Sequence, residues 1–135
     1  MQSQAGHIFF YGTLMRMFPL RARAGIDNWL EYVGDGYVSG ALFDLGSYPG
    51  LVVDSCSQVC GEVYRVLDPV KLLARVDLIE DYRVENPKEG QYVRQTMDAI
   101  LEDGRALTVW CYVYNQLLPP NGRIKDGDYR RYAKL

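Results

Sequence analysis

The hydrophobic pattern changes its period along the chain, and each change marks a change of element. Residues 8–11, Ile8-Phe9-Phe10-Tyr11, form an unbroken apolar run of strand length, which predicts a buried β-strand. Gly12-Thr13 breaks the run. A loop follows, then a short helix near residues 19–24 with Gly25 as its C-terminal stop. Arg21 and Arg23 on that helix read as a solvated face; the alternative is a pair that draws in an anionic substrate. Across residues 29–66, short apolar runs (29–33, 37–45, 51–53 and 58–66) are separated by turn signals such as Gly46-Ser47-Tyr48-Pro49-Gly50. Gly40 and Gly61 inside these runs predict bends or close backbone approach. Short strands joined by tight turns predict a strongly bent antiparallel sheet or a small barrel.

At Asp68-Pro69 the period becomes helical, with aspartate placed as N-cap and proline at the first helical position. The spacing predicts a helix from residue 69 to about residue 82. Leu72, Leu73, Val76 and Ile79 make one apolar stripe on it. On a helical wheel Glu80 falls inside that stripe, between the directions of Val76 and Leu73, and Leu78 falls outside. A carboxylate on a core face is costly unless it is paired, protonated or at the lip of a cleft. Burial would raise its pKa toward neutrality, which suits a general acid/base. The alternatives are an ion pair, with Arg94 as the candidate partner, or a helix end from which Glu80 escapes to solvent.

Residues 83–90 are polar and loop-like. Residues 91–101 alternate, with Val93, Met97, Ala99 and Leu101 on one face. Glu102-Asp103-Gly104-Arg105 reads as a hairpin turn into a return strand over residues 106–115. Leu107, Val109, Cys111 and Val113 take one face of that strand; Thr108, Trp110, Tyr112 and Tyr114 take the other. Two apolar faces suit a central strand covered on both sides, or else an aromatic wall beside a ligand. Residues 118–122 read as a turn, and residues 127–132 as a turn or a single helical turn.

Composition narrows the function classes. At 135 residues and 48% hydrophobic, the chain reads as one domain, 1–135, with a sizeable core. A net charge of −2 gives no electrostatic ground for nucleic acid or an anionic membrane as partner. No apolar run approaches ~18 residues, so no membrane span is expected. Residues 1–4 lack the basic and apolar regions of a secretory signal, so a cytoplasmic location is the expectation. Cys56, Cys60 and Cys111 cannot all pair within the chain and read as core thiols. His7 is the single histidine, too few N/S ligands accompany it for a zinc centre, and no metal is expected. The aromatic content fits a core or a dimer face, so monomer and homodimer both stay open.

The candidate chemistry begins at Gly12-Thr13. A strand that ends in glycine turns its backbone sharply and lets a ligand approach it closely. Consecutive N–H groups in such a turn can converge on an anion with no charged side chain. The alternative is an ordinary strand followed by an ordinary turn.

In order along the chain stand Phe10-Tyr11-Gly12-Thr13-Leu14, the segment from Ala41 to Gly50, Gly61-Glu62-Val63-Tyr64, the segment from Val76 to Tyr82, Tyr92-Val93-Arg94, the segment from Trp110 to Tyr114 and Gly127-Asp128-Tyr129. This ordered set resembles the gamma-glutamylcyclotransferase-like, or AIG2-like, family. The resemblance implies an α+β fold, a small curled mixed sheet or β-barrel flanked by a few helices. It implies a cleft floored by Tyr11, Gly12, Thr13 and Leu14, with Glu80 facing it as the acid/base. Tyr92 matches a tyrosine near the pocket of some members. The implied activity converts a small-molecule gamma-glutamyl amine, amino acid or peptide to 5-oxoproline plus the free amine, with no cofactor. Met17 stands where the family often has glycine, Asp81 where glycine commonly follows the glutamate, and Tyr129 where tryptophan is frequent. The first two border the implied site and bear on substrate identity more than on fold. Some members lack the glutamate, so two further readings are a non-catalytic module that binds a small carboxylate in the same cleft, and an enzyme acting on a gamma-glutamylated biosynthetic intermediate.

Overall fold

The computed structural model describes residues 5–133. The stretch read for a leader, residues 1–4, lies outside them. In chain order the elements are β1 (His7–Phe10), α1 (Pro19–Ala24), β2 (Leu30–Asp44), β3 (Pro49–Val66), α2 (Pro69–Ile79), β4 (Tyr92–Leu101), β5 (Ala106–Tyr114), β6 (Arg123–Ile124) and α3 (Tyr129–Ala133). Short 3-10 turns at Asp27–Trp29 and Pro87–Glu89 precede β2 and β4.

The strands run β3-β1-β5-β4-β2-β6 across the sheet, and β2 also pairs with β3. That last pairing closes five of the strands into a barrel-like ring with β6 on its outside, an α+β architecture. Only the β1–β5 pair is parallel, which makes the sheet mixed. The residues that fill the ring come from every side of it: Phe9, Val38, Leu51, Val63, Ala99 and Val109 are fully or almost fully buried.

The runs expected as separate strands over residues 29–45 and 51–66 are two long continuous ones. Register shifts between Tyr32 and Gly34 and between Ser39 and Gly40 absorb the turn-like residues that interrupt the pattern. A bulge bends a strand without ending it, so polar and glycine-rich stretches can stay inside the ladder. Gly36 and Gly61 face each other across β2 and β3. A Cβ on Gly36 would lie 2.5 Å from the Ile100 carbonyl oxygen, and one on Gly61 would lie 2.4 Å from that of Phe10. These glycines let β4 and β1 come in close on either side of the hairpin, which is what closing the ring requires.

α2 starts as read from the sequence: the Asp68 side chain accepts the Lys71 N–H at 3.1 Å with Pro69 next in the chain. Leu72 and Val76 are fully buried and Leu78 is 78% exposed. The helix stops at Ile79, not near residue 82. Asp81 takes a left-handed conformation with φ 55°. The Asp81 N–H then bonds the Leu78 carbonyl (3.3 Å) and the Tyr82 N–H the Asp77 carbonyl (2.9 Å), which ends the helix in a Schellman motif. α1 ends on Gly25 as expected, with φ 67°.

Other expectations are corrected. Arg21 is buried, not solvated, because its guanidinium finds Tyr64, Asp27 and the Leu14 carbonyl. Of the three thiols only Cys111 is buried; Cys60 is half-buried, and Cys56 is exposed within the bulged part of β3. The short strand β6 had no signal in the residue pattern. No helix among the described residues is long and apolar enough to cross a membrane.

Replacing Gly61 with alanine should destabilise the protein by about 2 kcal/mol or more, since the overlap falls on backbone rather than on a side-chain tip. Urea unfolding reads this directly; an unchanged midpoint would mean that β1 and β3 can part at no cost.

Candidate active site

A cleft of about 240 Å³ opens between the end of β1, the end of α2 and the loop that enters β3. Tyr11, Gly12, Thr13, Leu14, Glu80 and Tyr92, the whole set singled out from the sequence, line this one cleft. Phe9, Leu20, Pro49 and Ile79 add apolar wall, while Tyr48, Gln91 and Tyr112 add polar groups that the sequence reading did not single out as site residues.

The turn after β1 is built to stay in place. The Gly12 carbonyl accepts the Met15 N–H at 3.0 Å. A Cβ on Gly12 would come within 2.8 Å of the Pro49 ring, so this position needs glycine for close approach. The Tyr92 hydroxyl donates to the Pro49 carbonyl at 2.6 Å and holds that ring where it is. The Tyr11 hydroxyl donates to the Tyr112 carbonyl at 2.7 Å and accepts the Leu51 N–H at 3.3 Å. Both tyrosine hydroxyls are therefore engaged by main chain and shape the walls. By contrast, the N–H groups of Gly12, Thr13 and Leu14 have no acceptor among the described residues. Three successive free donors on a fixed turn form the kind of concavity that takes an anion.

A buried polar network supports the turn from behind. Glu62, 3% exposed, accepts the Arg16 N–H at 3.0 Å and the Tyr64 hydroxyl at 2.7 Å through Oε1, and Arg16 Nε at 3.3 Å through Oε2. Arg21 Nη1 donates to Tyr64 Oη at 2.9 Å and to the Leu14 carbonyl at 3.2 Å, and Nε donates to Asp27 at 2.7 Å. Arg16 is thereby committed to Glu62, with its guanidinium 3.9 Å from the centroid of the Tyr32 ring. A charge at the centre of the run from Val59 to Tyr64 was the sequence signal for this network; its partners come from distant segments.

Glu80 presents the opposite case. It caps α2 with φ −86° and ψ 0°, still right-handed, so it keeps the direction that the helical wheel assigns. Its carboxylate is packed into the protein and pushed up to about 7 by desolvation, with no charge partner contributing. No hydrogen bond or ion pair from another described residue reaches it. Arg94, the candidate partner, instead forks onto Asp77 with Nε at 2.9 Å and Nη2 at 3.2 Å. Asp81, in the left-handed position, pairs with Arg83 at 3.1 Å and also lines the cleft. Glycine would adopt that backbone without strain, a physical reason for the glycine that the resemblance leads one to expect at this position. No lysine, arginine or histidine is among the described residues that line the cleft.

The family model described as "Gamma-glutamyl cyclotransferase, AIG2-like" matches residues 8–131. The chain belongs to that family. A protein of Vibrio cholerae named "Putative gamma-glutamylcyclotransferase" is 37% identical over 130 residues, covering 90% of this chain and 93% of the relative. Among solved structures, protein ytfP of Escherichia coli superposes with a TM-score of 0.65 at 28% identity, covering 94% of this chain and 98% of its own. An AIG2-like protein of Mus musculus gives a TM-score of 0.67 at 24% identity over 87% and 82% of the two chains, a likeness of fold.

The raised pKa of Glu80 carries a stability consequence. The folded protein holds a proton here that the unfolded chain releases near 4.5, so folding stability falls as pH rises from about 4.5 to about 7. In that window the charged form costs about 3 kcal/mol. The isosteric Glu80→Gln variant should therefore match the parent near pH 4 and exceed its stability at pH 8 by about 2–3 kcal/mol. Chemical unfolding at the two pH values is the check; a constant difference would mean that Glu80 titrates as an ordinary surface acid.

Proposed function

We propose that the protein is a cyclotransferase that releases 5-oxoproline and a free amine from a gamma-glutamyl compound, with Glu80 as the acid/base. The observation that carries this reading is an unpaired, desolvated carboxylate sharing a small cleft with three free backbone N–H groups. Membership of the family supports it.

The substrate's α-carboxylate sits on the N–H groups of Gly12, Thr13 and Leu14. Its α-ammonium then lies toward Glu80, which takes one proton as the carboxylate. The freed amine attacks the γ-carbonyl carbon of the same molecule, forming the ring C–N bond. The tetrahedral intermediate collapses, the bond to the partner's nitrogen breaks, and protonated Glu80 returns its proton to that nitrogen. The carboxylate so freed takes the second proton from the cationic ring nitrogen and passes it to the released amine, which leaves as an ammonium and restores Glu80 to its starting form. The attack is intramolecular, so holding the substrate curled supplies much of the rate. A group that must act first as base and then as acid works best with a pKa near the working pH, which is where desolvation sets Glu80. The cleft's apolar wall keeps water from competing for the carbonyl. Tyr92 and Tyr11 serve through the walls they hold.

A panel of gamma-glutamyl amines, amino acids and peptides, scored for 5-oxoproline release, tests the reading. Glu80→Gln should bind as the parent does and lose turnover by ~100-fold or more. In the parent, kcat/KM should climb as pH passes through about 7 and Glu80 ionises. Equal turnover in variant and parent removes Glu80 from the chemistry. Substrate binding with no turnover by the parent across the panel would favour the carboxylate-binding module instead. Gly12→Ala pushes the turn off Pro49 and should raise KM by about tenfold through lost carboxylate contacts; an unchanged KM would place the carboxylate elsewhere.

A further inference from the structure

We propose that Tyr112 is the positioning residue that sets the span between Glu80 and the Gly12–Leu14 turn, acting through Asp77. The inference rests on the reading of Glu80 as acid/base. The two walls of the cleft come from the end of β1 and the end of α2, far apart in the chain. Tyr112, on β5, is bonded to both. Its carbonyl holds the Tyr11 hydroxyl at 2.7 Å, next to the turn. Its own hydroxyl donates to Asp77 Oδ1 at 2.6 Å, one helical turn before Glu80. Tyr112 is buried and lines the cleft between these two contacts.

Asp77 passes this restraint on to Glu80. Its side chain is held from β5 by Tyr112 and from β4 by the Arg94 fork, with the guanidinium 4.7 Å from the Trp110 ring centroid. Its carbonyl accepts the Tyr82 N–H at 2.9 Å, the bond that closes the helix end around Glu80 and Asp81. A carboxylate with no partner of its own takes its aim from its backbone, so whatever fixes this helix end fixes the acid. Productive geometry tolerates little: a shift of about 1 Å costs on the order of 100-fold in rate.

The experiment compares Tyr112→Phe with the parent and with Glu80→Gln, using the best gamma-glutamyl compound of the panel and native-state hydrogen exchange. Tyr112→Phe keeps the ring and the carbonyl and removes only the hydroxyl. The variant should fold, keep KM within about twofold because the N–H cradle is untouched, and lose kcat by about tenfold or more. Exchange at the amides of residues 80–82 should speed up by about tenfold while β1 stays protected. Asp77→Asn, which keeps an acceptor for Tyr112, should lose less kcat than Asp77→Ala. A folded Tyr112→Phe with parental kcat overturns the inference, as does a loss no larger than its unfolded fraction explains. Should the parent release no 5-oxoproline while exchange at 80–82 still accelerates, the proposed reaction fails and the restraint stands; unchanged exchange sinks the restraint whatever the activity.

Discussion

A single desolvated carboxylate with nothing to neutralise it is the constraint that the rest of the structure serves. Left free to move, Glu80 would swing to water or find a cation, and either would return its pKa to the ordinary carboxylate range. The fold prevents both. The helix ends at Glu80, so no further turn carries it outward, and the apolar stripe through Leu72 and Val76 presses the helix end against the barrel. The nearby cation that could have reached it is bound twice by Asp77. On the proposed reading, the stability given up at neutral pH is the cost of keeping a proton donor and acceptor in one group.

The same chain contains a buried glutamate treated in the other way. Glu62 lies deeper than Glu80, yet Arg16, Tyr64 and, at 4.0 Å, Arg21 surround it. A carboxylate so supplied with donors has its burial offset by hydrogen bonds and behaves as a structural anchor. It ties the main chain at Arg16, and through Tyr64 and Arg21 the carbonyl of Leu14, so the turn bearing the free N–H groups cannot relax to satisfy them internally. One glutamate, fully bonded, fixes the turn that bears the free N–H groups. The other, with no partner among the described residues, is the group that the proposed reaction uses to move protons. Burial alone does not distinguish their roles; the partners do.

Much of this was legible in the residue pattern, for reasons that can be named. The helical wheel found Glu80 because the residue keeps right-handed backbone angles even as the cap, so the projection holds up to that position and fails only past Asp81, where φ turns positive. The turn at Gly12 and the stop at Gly25 were visible because glycine marks backbone that other residues avoid. What stayed hidden depended on contacts across long stretches of chain. Arg21 looks solvated on a short helix, and only Tyr64, 43 residues away, reveals it as buried. Asp77 and Glu80 stand one turn apart on the same helix, and local pattern cannot say which of them takes Arg94. Continuous strands read as broken ones because a bulge and a turn draw on the same residues. Tyr112 gave no signal beyond sharing an aromatic face, since its contacts reach across 101 residues to Tyr11 and 35 to Asp77.

A lining with no basic side chain among the described residues suits the same constraint on the proposed reading. An arginine is the usual means of fixing a substrate carboxylate, because its fork matches the two oxygens. In a cleft this small, a full positive charge near Glu80 would favour its ionised form and draw its pKa down, and the group could no longer return a proton to a leaving amine. Backbone N–H groups on a glycine turn attract an anion through partial charges that are fixed in direction and fall off faster with distance. On the proposed reading they would hold the substrate's carboxylate without neutralising the acid across the cleft. On this account the glycine turn and the lone glutamate are one device: an ionic cradle would disarm the acid, and a paired acid would have no need of so neutral a cradle.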